Sequence, residues 1–183
     1  MGLFSKTKTV DIFFVGSEGT DLDRGIYAFY FNVDNGEIIK KSFVKSLANP
    51  LAMNKNGRFM YLTYRNGTGR AQDGGIWQYA CMEVQLGLAA RVGNEGRTYI
   101  QTLLNKNSSY AYAIDYYNGE VVTVPIKTSK IIRVSKTVKL DGHSIDPVKQ
   151  TESHPTFMTF TPDNTKLVVT DLGGDEVIFF TEG

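Results

Sequence analysis

Cysteine is almost absent from this sequence of 183 residues. Cys81 stands alone, which excludes an intramolecular disulfide and a cysteine-rich zinc site. Histidine is nearly as scarce, with only His143 and His154. Net charge is missing too: 20 Lys and Arg against 19 Asp and Glu leave a formal +1. Such a balance argues against a partner held by bulk electrostatics, whether nucleic acid or an anionic membrane. No window approaches the roughly 18 apolar residues of a spanning helix. The opening MGLFSKTKTVDIFFVGS has too short an apolar run for a signal peptide, and Lys6 stands where a myristoylation pattern wants Ser or Thr. The cytoplasm is the expected compartment. The Walker loop, the G-x-S-x-G elbow, the H-E-x-x-H helix, the dinucleotide fingerprint and the WD dipeptide are all lacking. So is any sustained 3.6-residue period, and this points away from helices.

Aromatic and β-branched residues are abundant by contrast. The segments 11–17, 25–33, 58–65, 75–82, 109–117, 120–126, 166–172 and 176–180 read as strands, each bounded by Gly, Asn, Asp or Pro. Asn35-Gly36, Asn56-Gly57, Asn66-Gly67, Asn118-Gly119 and Gly173-Gly174 supply turn chemistry, because Asn and Gly reach positive φ at low cost. With ten Tyr and eleven Phe, the composition is that of an all-β protein.

Three stretches share one plan: PLAMNKNGRFMYLTYRNG (50–67), TYIQTLLNKNSSYAYAIDYYNG (98–119) and PTFMTFTPDNTKLVVTDLGG (155–174). Each runs strand, polar turn, strand, Gly-containing turn. From Asn56 to Asn107 is 51 residues, and from Asn107 to Asp163 is 56. A period near 50 built from antiparallel strands predicts β-propeller blades of four strands. Outer strands are expected in AARVGNE (89–95) and IIRVSKTVKL (131–140), and the N-terminal piece reads as a blade lacking its first strand. The expectation is a single partial propeller domain over 1–183, in units of approximately 10–47, 48–97, 98–150 and 151–183. That is about three and a half blades where a closed ring takes at least about four. A longer propeller, an assembly of copies through the open edges, or an open structure would each accommodate this.

The stretches FVGS…RGIYAFYFNVDNGEI (14–38), NPLAMNKNGRFMYLTYR (49–65), DYYNGEVVTVPI (115–126) and ESHPTFMTFTPDNTKLVVTDLGGDEVIFF (152–180) resemble the lactonase family of seven-bladed propellers, the bacterial-type 6-phosphogluconolactonases. The resemblance covers nearly the whole chain but only the N-terminal half of the family's usual length. Departures are specific. His154 matches the first histidine of the family's entry motif, and Thr156 stands where a second belongs. Lys149 replaces an arginine, Tyr116-Tyr117 a glycine-rich turn, and Arg65 an acidic residue.

The resemblance implies a hydrolase of carbohydrate metabolism acting on a phosphorylated sugar lactone, with no cofactor and no metal. His154 would be the general base that activates water, since a neutral imidazole suits that task near pH 7. Glu152, two residues away in an extended segment, would share its face and orient it. Arg65, Arg97 and Lys149 would bind phosphate, and Asp171 a sugar hydroxyl. Asp115 and Asp171 occupy matching places in AIDYY and VTDLGG, so tying down the following turn is their first expected role. Tyr64, Tyr99, Tyr116 and Tyr117 are channel-lining candidates. The partner expected is a sugar phosphate or lactone. Two other readings stand beside this one: a non-catalytic binding or scaffold propeller, including a truncated remnant, and a carboxymuconate cyclase-like enzyme.

Overall fold

The computed structural model describes residues 10–17, 22, 24–46, 48–53, 57–68 and 71–181; of these, 40, 41, 48–53, 65–68, 71, 72, 94 and 95 are described by their backbone alone. All regular structure among them is β. Fifteen strands form four antiparallel sheets. The first sheet holds β1 (Val10–Ser17), β2 (Gly25–Asn32) and β3 (Ile38–Lys45) in that order. The second holds β4 (Ala48–Met53), β5 (Phe59–Thr68), β6 (Ala71–Met82) and β7 (Gln85–Glu95). The third holds β8 (Tyr99–Leu104), β9 (Tyr110–Asp115) and β10 (Glu120–Lys127), with β11 (Lys130–Ile131) and β12 (Lys136–Lys139) both pairing with β10. The fourth holds β13 (Pro155–Phe160), β14 (Lys166–Asp171) and β15 (Glu176–Thr181). The strand nearest each blade's entry lies against the preceding sheet: β4 against β1 and β2, β8 against β4 and β5, β13 against β8 and β9. This is a partial propeller.

Alternation along the strands gives each sheet two faces, and the apolar faces meet between blades. Ile26, Met60, Leu62 and Tyr79 fill the first interface. Tyr61, Ile76, Tyr99, Ala111, Ala113, Val122 and Val124 fill the second. Ile114, Val121, Leu140, Met158, Leu167 and Val169 fill the third. Small alanines on β9 share this interface with the large Tyr61 of the second sheet, as close packing of two twisted sheets demands.

The repeated polar turns share their chemistry. Asn107 Oδ1 accepts the Ser109 N–H, and Asp163 Oδ1 accepts the Thr165 N–H, both at 3.1 Å. The residue after each anchor takes positive φ, Ser108 at 56° and Asn164 at 59°. Asn56, the third anchor, lies outside the described residues.

Several local expectations change. Asn66-Gly67 is not a turn, because β5 runs on to Thr68 paired residue for residue with β6. In the Gly173-Gly174 turn, positive φ falls on Asp175 at 53°. Gly173 serves closeness instead: a Cβ there would lie 1.7 Å from the Glu152 carbonyl oxygen. The outer strand expected over 131–140 is split into β11 and β12. Buried Gln78 explains the split, for its Nε2 donates to the Ser129 carbonyl at 2.6 Å and its Oε1 accepts the Ile131 N–H at 3.1 Å. Those bonds draw the hairpin after β10 toward the second sheet before the chain returns to pair as β12.

Candidate functional site

The turns that open the third and fourth blades lie on one rim, and a buried aspartate organises each. Asp115, wholly buried, ends β9 and accepts the Thr98 N–H at 3.2 Å and the Asn118 N–H at 3.3 Å through Oδ1. Asp171, 2% exposed, ends β14 and accepts the His154 N–H at 2.6 Å and the Gly173 N–H at 2.9 Å through Oδ1. Thr98 and His154 are therefore counterparts, each fixed by its backbone at a blade entry. Their carbonyls complete the motif by accepting the N–H of Tyr116 and Leu172, both at 3.1 Å.

The two clamps diverge at the second carboxylate oxygen. Asp115 Oδ2 receives the Asn118 side-chain amide at 2.9 Å and the Arg97 guanidinium at 3.5 Å. Asp171 Oδ2 is buried with no partner among the described residues. Ser153 and Gly174 occupy the places of Arg97 and Asn118 in the fourth blade, and Ser153 Oγ is engaged with the Gly142 N–H at 2.6 Å.

His154 is half-buried, and its imidazole is held on two sides. The ring stacks on Tyr116 with centroids 4.7 Å apart and planes 14° from parallel. Nδ1 lies 3.1 Å from the Tyr116 carbonyl oxygen. A carbonyl only accepts, so a hydrogen bond there requires the proton on Nδ1, and in the neutral ring that leaves the lone pair on Nε2. No described residue forms a hydrogen bond to Nε2. Glu152 sits in a bend, not in an extended run, since the strand begins only at Pro155. The atom that meets Nδ1 is the Tyr116 carbonyl, not a carboxylate.

The cationic candidates belong to different segments of the chain. Arg97 pairs with Glu120 and with Asp115. Burial would lower its pKa, but the Glu120 hydrogen bond and the nearby negative charges hold it above the ordinary arginine value. Lys149 is exposed, and its backbone N–H donates to Asp146 Oδ1 at 3.1 Å, in the loop that leads to the entry. Arg65 lies within β5, and its side chain falls outside the described residues. Thr156, in the second-histidine position, is exposed, and its hydroxyl bonds the Thr170 hydroxyl at 2.9 Å. Tyr99 is buried in the core, which pushes its hydroxyl up to about 12. Tyr64 stacks on Trp77 at 4.6 Å within the first interface. Their side-chain facing could not be told from alternation alone. The Tyr116 carbonyl was unreadable for a different reason: a backbone acceptor leaves no mark in composition.

Comparison with known proteins agrees with this fold. The chain is 26% identical over 161 residues to an uncharacterised protein of Lactococcus lactis subsp. cremoris, covering 87% of this chain and 45% of that one. A crystal structure from Bacteroides fragilis, of a protein provisionally named 6-phosphogluconolactonase, superposes with a TM-score of 0.83 at 24% identity, over 98% of this chain and 50% of that one. The periplasmic gluconolactonase of Pseudomonas aeruginosa superposes with a TM-score of 0.70 at 19% identity, over 94% of this chain and 50% of that one. The chain thus spans about half the length of the relatives it matches. The model of the lactonase family of seven-bladed β-propellers matches residues 12–182, and the chain belongs to that family.

Proposed function

We propose that this chain takes part in hydrolysing a sugar lactone, a phosphorylated one, with His154 as general base. The observation that carries the reading is the placement of the imidazole: at a blade entry, Nδ1 lies 3.1 Å from a backbone carbonyl, and no described residue bonds Nε2. In the reaction Nε2 takes a proton from water as the water oxygen attacks the lactone carbonyl carbon. The ring C–O bond then breaks, and the imidazolium returns the proton to the departing ring oxygen. The product is the open-chain hydroxy acid, and nothing is oxidised or reduced. Such proton transfer contributes roughly 100- to 10,000-fold to a rate. Lys149, exposed and close in sequence to the entry, and Arg65 are the cations proposed for the phosphate; Arg97 already has two carboxylate partners.

Hydrolysis of 6-phosphogluconolactone above its spontaneous rate, measured near neutral pH for the wild type and His154→Ala, tests this. Activity that the substitution abolishes is expected. Equal activity in both would remove His154 from the role. A second reading, a propeller that binds without catalysis, draws support from the commitment of Arg97 to Asp115 and Glu120 and of Thr156 to Thr170. Absence of activity in both proteins, with a sugar phosphate still bound, would favour it.

A further inference from the structure

Tyr116 and Tyr117 stand where a glycine-rich turn is expected, and a bulky pair in a tight turn calls for a reason. Tyr116 is fixed before it meets His154. Its N–H donates to the Thr98 carbonyl at 3.1 Å, inside its own blade. Its ring meets Tyr117 edge-on, at 5.0 Å and 88°. The same residue then reaches across to the next blade twice, by its carbonyl to Nδ1 and by its ring to the imidazole face. One residue thereby sets both the in-plane rotation and the tilt of the imidazole. The backbone of His154 is pinned separately by Asp171.

We infer that Tyr116 is the positioning residue of His154: it holds the imidazole as the Nδ1–H tautomer, with Nε2 as the unprotonated nitrogen. The consequence for catalysis rests on the lactonase reading above; the tautomer does not. A hydrogen bond to one ring nitrogen selects the tautomer by fixing where the proton resides. The carbonyl alone is insufficient, because a side chain free to rotate would leave it for water. The stacked ring supplies the confinement, and near-parallel planes at this separation are a favourable aromatic arrangement. Any role for Glu152 is then not the orientation of Nδ1.

Nitrogen-15 NMR of the imidazole side chains, at a pH where His154 is neutral, reads the tautomer directly in the full chain. The wild type is expected to show a single Nδ1–H form for His154 and averaged signals for exposed His143. Tyr116→Ala retains the carbonyl but removes the ring, and should bring His154 to the averaged pattern. Tyr116→Phe retains the stack and should restore the single tautomer, with the amide spectrum reporting that each variant is folded. An Nε2–H or averaged form in the wild type would overturn the inference, as would an unchanged tautomer in Tyr116→Ala. If the wild type hydrolyses the lactone, Tyr116→Ala should lower kcat by up to about 100-fold with little change in KM, the signature of a displaced catalytic group. If it hydrolyses none, the lactonase reading fails while the tautomer result stands or falls by itself.

Discussion

Asp115 shows how much one side chain can do at a blade entry. It is wholly buried, and its carboxylate joins the start of β8, the turn after β9 and the Arg97 guanidinium. Replacing it by Ala would strand the Thr98 and Asn118 N–H groups and leave Arg97 with Glu120 alone. Each buried donor left unsatisfied costs about 1–3 kcal/mol. Asp115→Ala should therefore lower the thermal midpoint by several degrees, read by calorimetry, and an unchanged midpoint would refute the clamp. Cys81 illustrates the opposite, an inert group. Burial pushes its thiol up to about 11, a shift only partly offset by a backbone hydrogen bond. At pH 8 the native protein should react with a thiol reagent far more slowly than the denatured protein. Equal rates would show the site to be open.

The polar turn between β13 and β14 makes a prediction at the scale of the element. Asp163 is held down to about 2, first by the Thr161 hydroxyl and then by the Thr165 N–H and hydroxyl. Its folded pKa lies below the unfolded value of about 3.9, so its contribution to stability is present above pH 4. That contribution is lost as the pH falls from about 4 toward 2. Asp163→Asn should flatten the stability–pH curve in that window and leave it parallel to the wild type above it. A difference that instead grows toward neutral pH would refute the assignment. Turn chemistry of this kind was legible in the sequence, since Asn107 and Asp163 sit at matching places and do matching work. The strands were legible as well, being short, aromatic and alternating. The path of β11 and β12 was not. It depends on Gln78, whose amide reaches Ser129 and Ile131 some fifty residues away, and no local pattern encodes a long-range polar contact inside a core. For the same reason His154 could be singled out by its scarcity, while its partner Tyr116 acts through a carbonyl that every residue possesses.

The four sheets as a whole leave two apolar faces without a neighbour among the described residues. On the fourth sheet Phe157, Val177 and Phe179 are each more than half exposed, at 52%, 54% and 58%. On the first, Phe13, Val15 and Phe43 are exposed at 37–45%, and Phe13 and Phe43 join Tyr27 and Phe29 in one run of ring contacts. Between the sheets, equivalent faces are closed by the next blade, as Met158 and Leu167 are against Ile114 and Val121. Exposed apolar area of this kind promotes association, because removing it from water is favourable by roughly 25 cal/mol for each Å² covered. The outer edge of β15 has no strand partner among the described residues, which adds backbone groups ready to pair. The purified chain is therefore expected to associate as its concentration rises. Val177→Lys with Phe179→Lys places two ammonium groups on the exposed face without touching Ile178 or Phe180, which point into the core. Light scattering after size exclusion should show the doubly substituted chain shifted toward the mass of a single chain, while its thermal midpoint changes little. A wild type that stays monomeric up to high concentration would refute association through these faces. A substituted chain that still assembled as before would move the contact to the first sheet or to the rim.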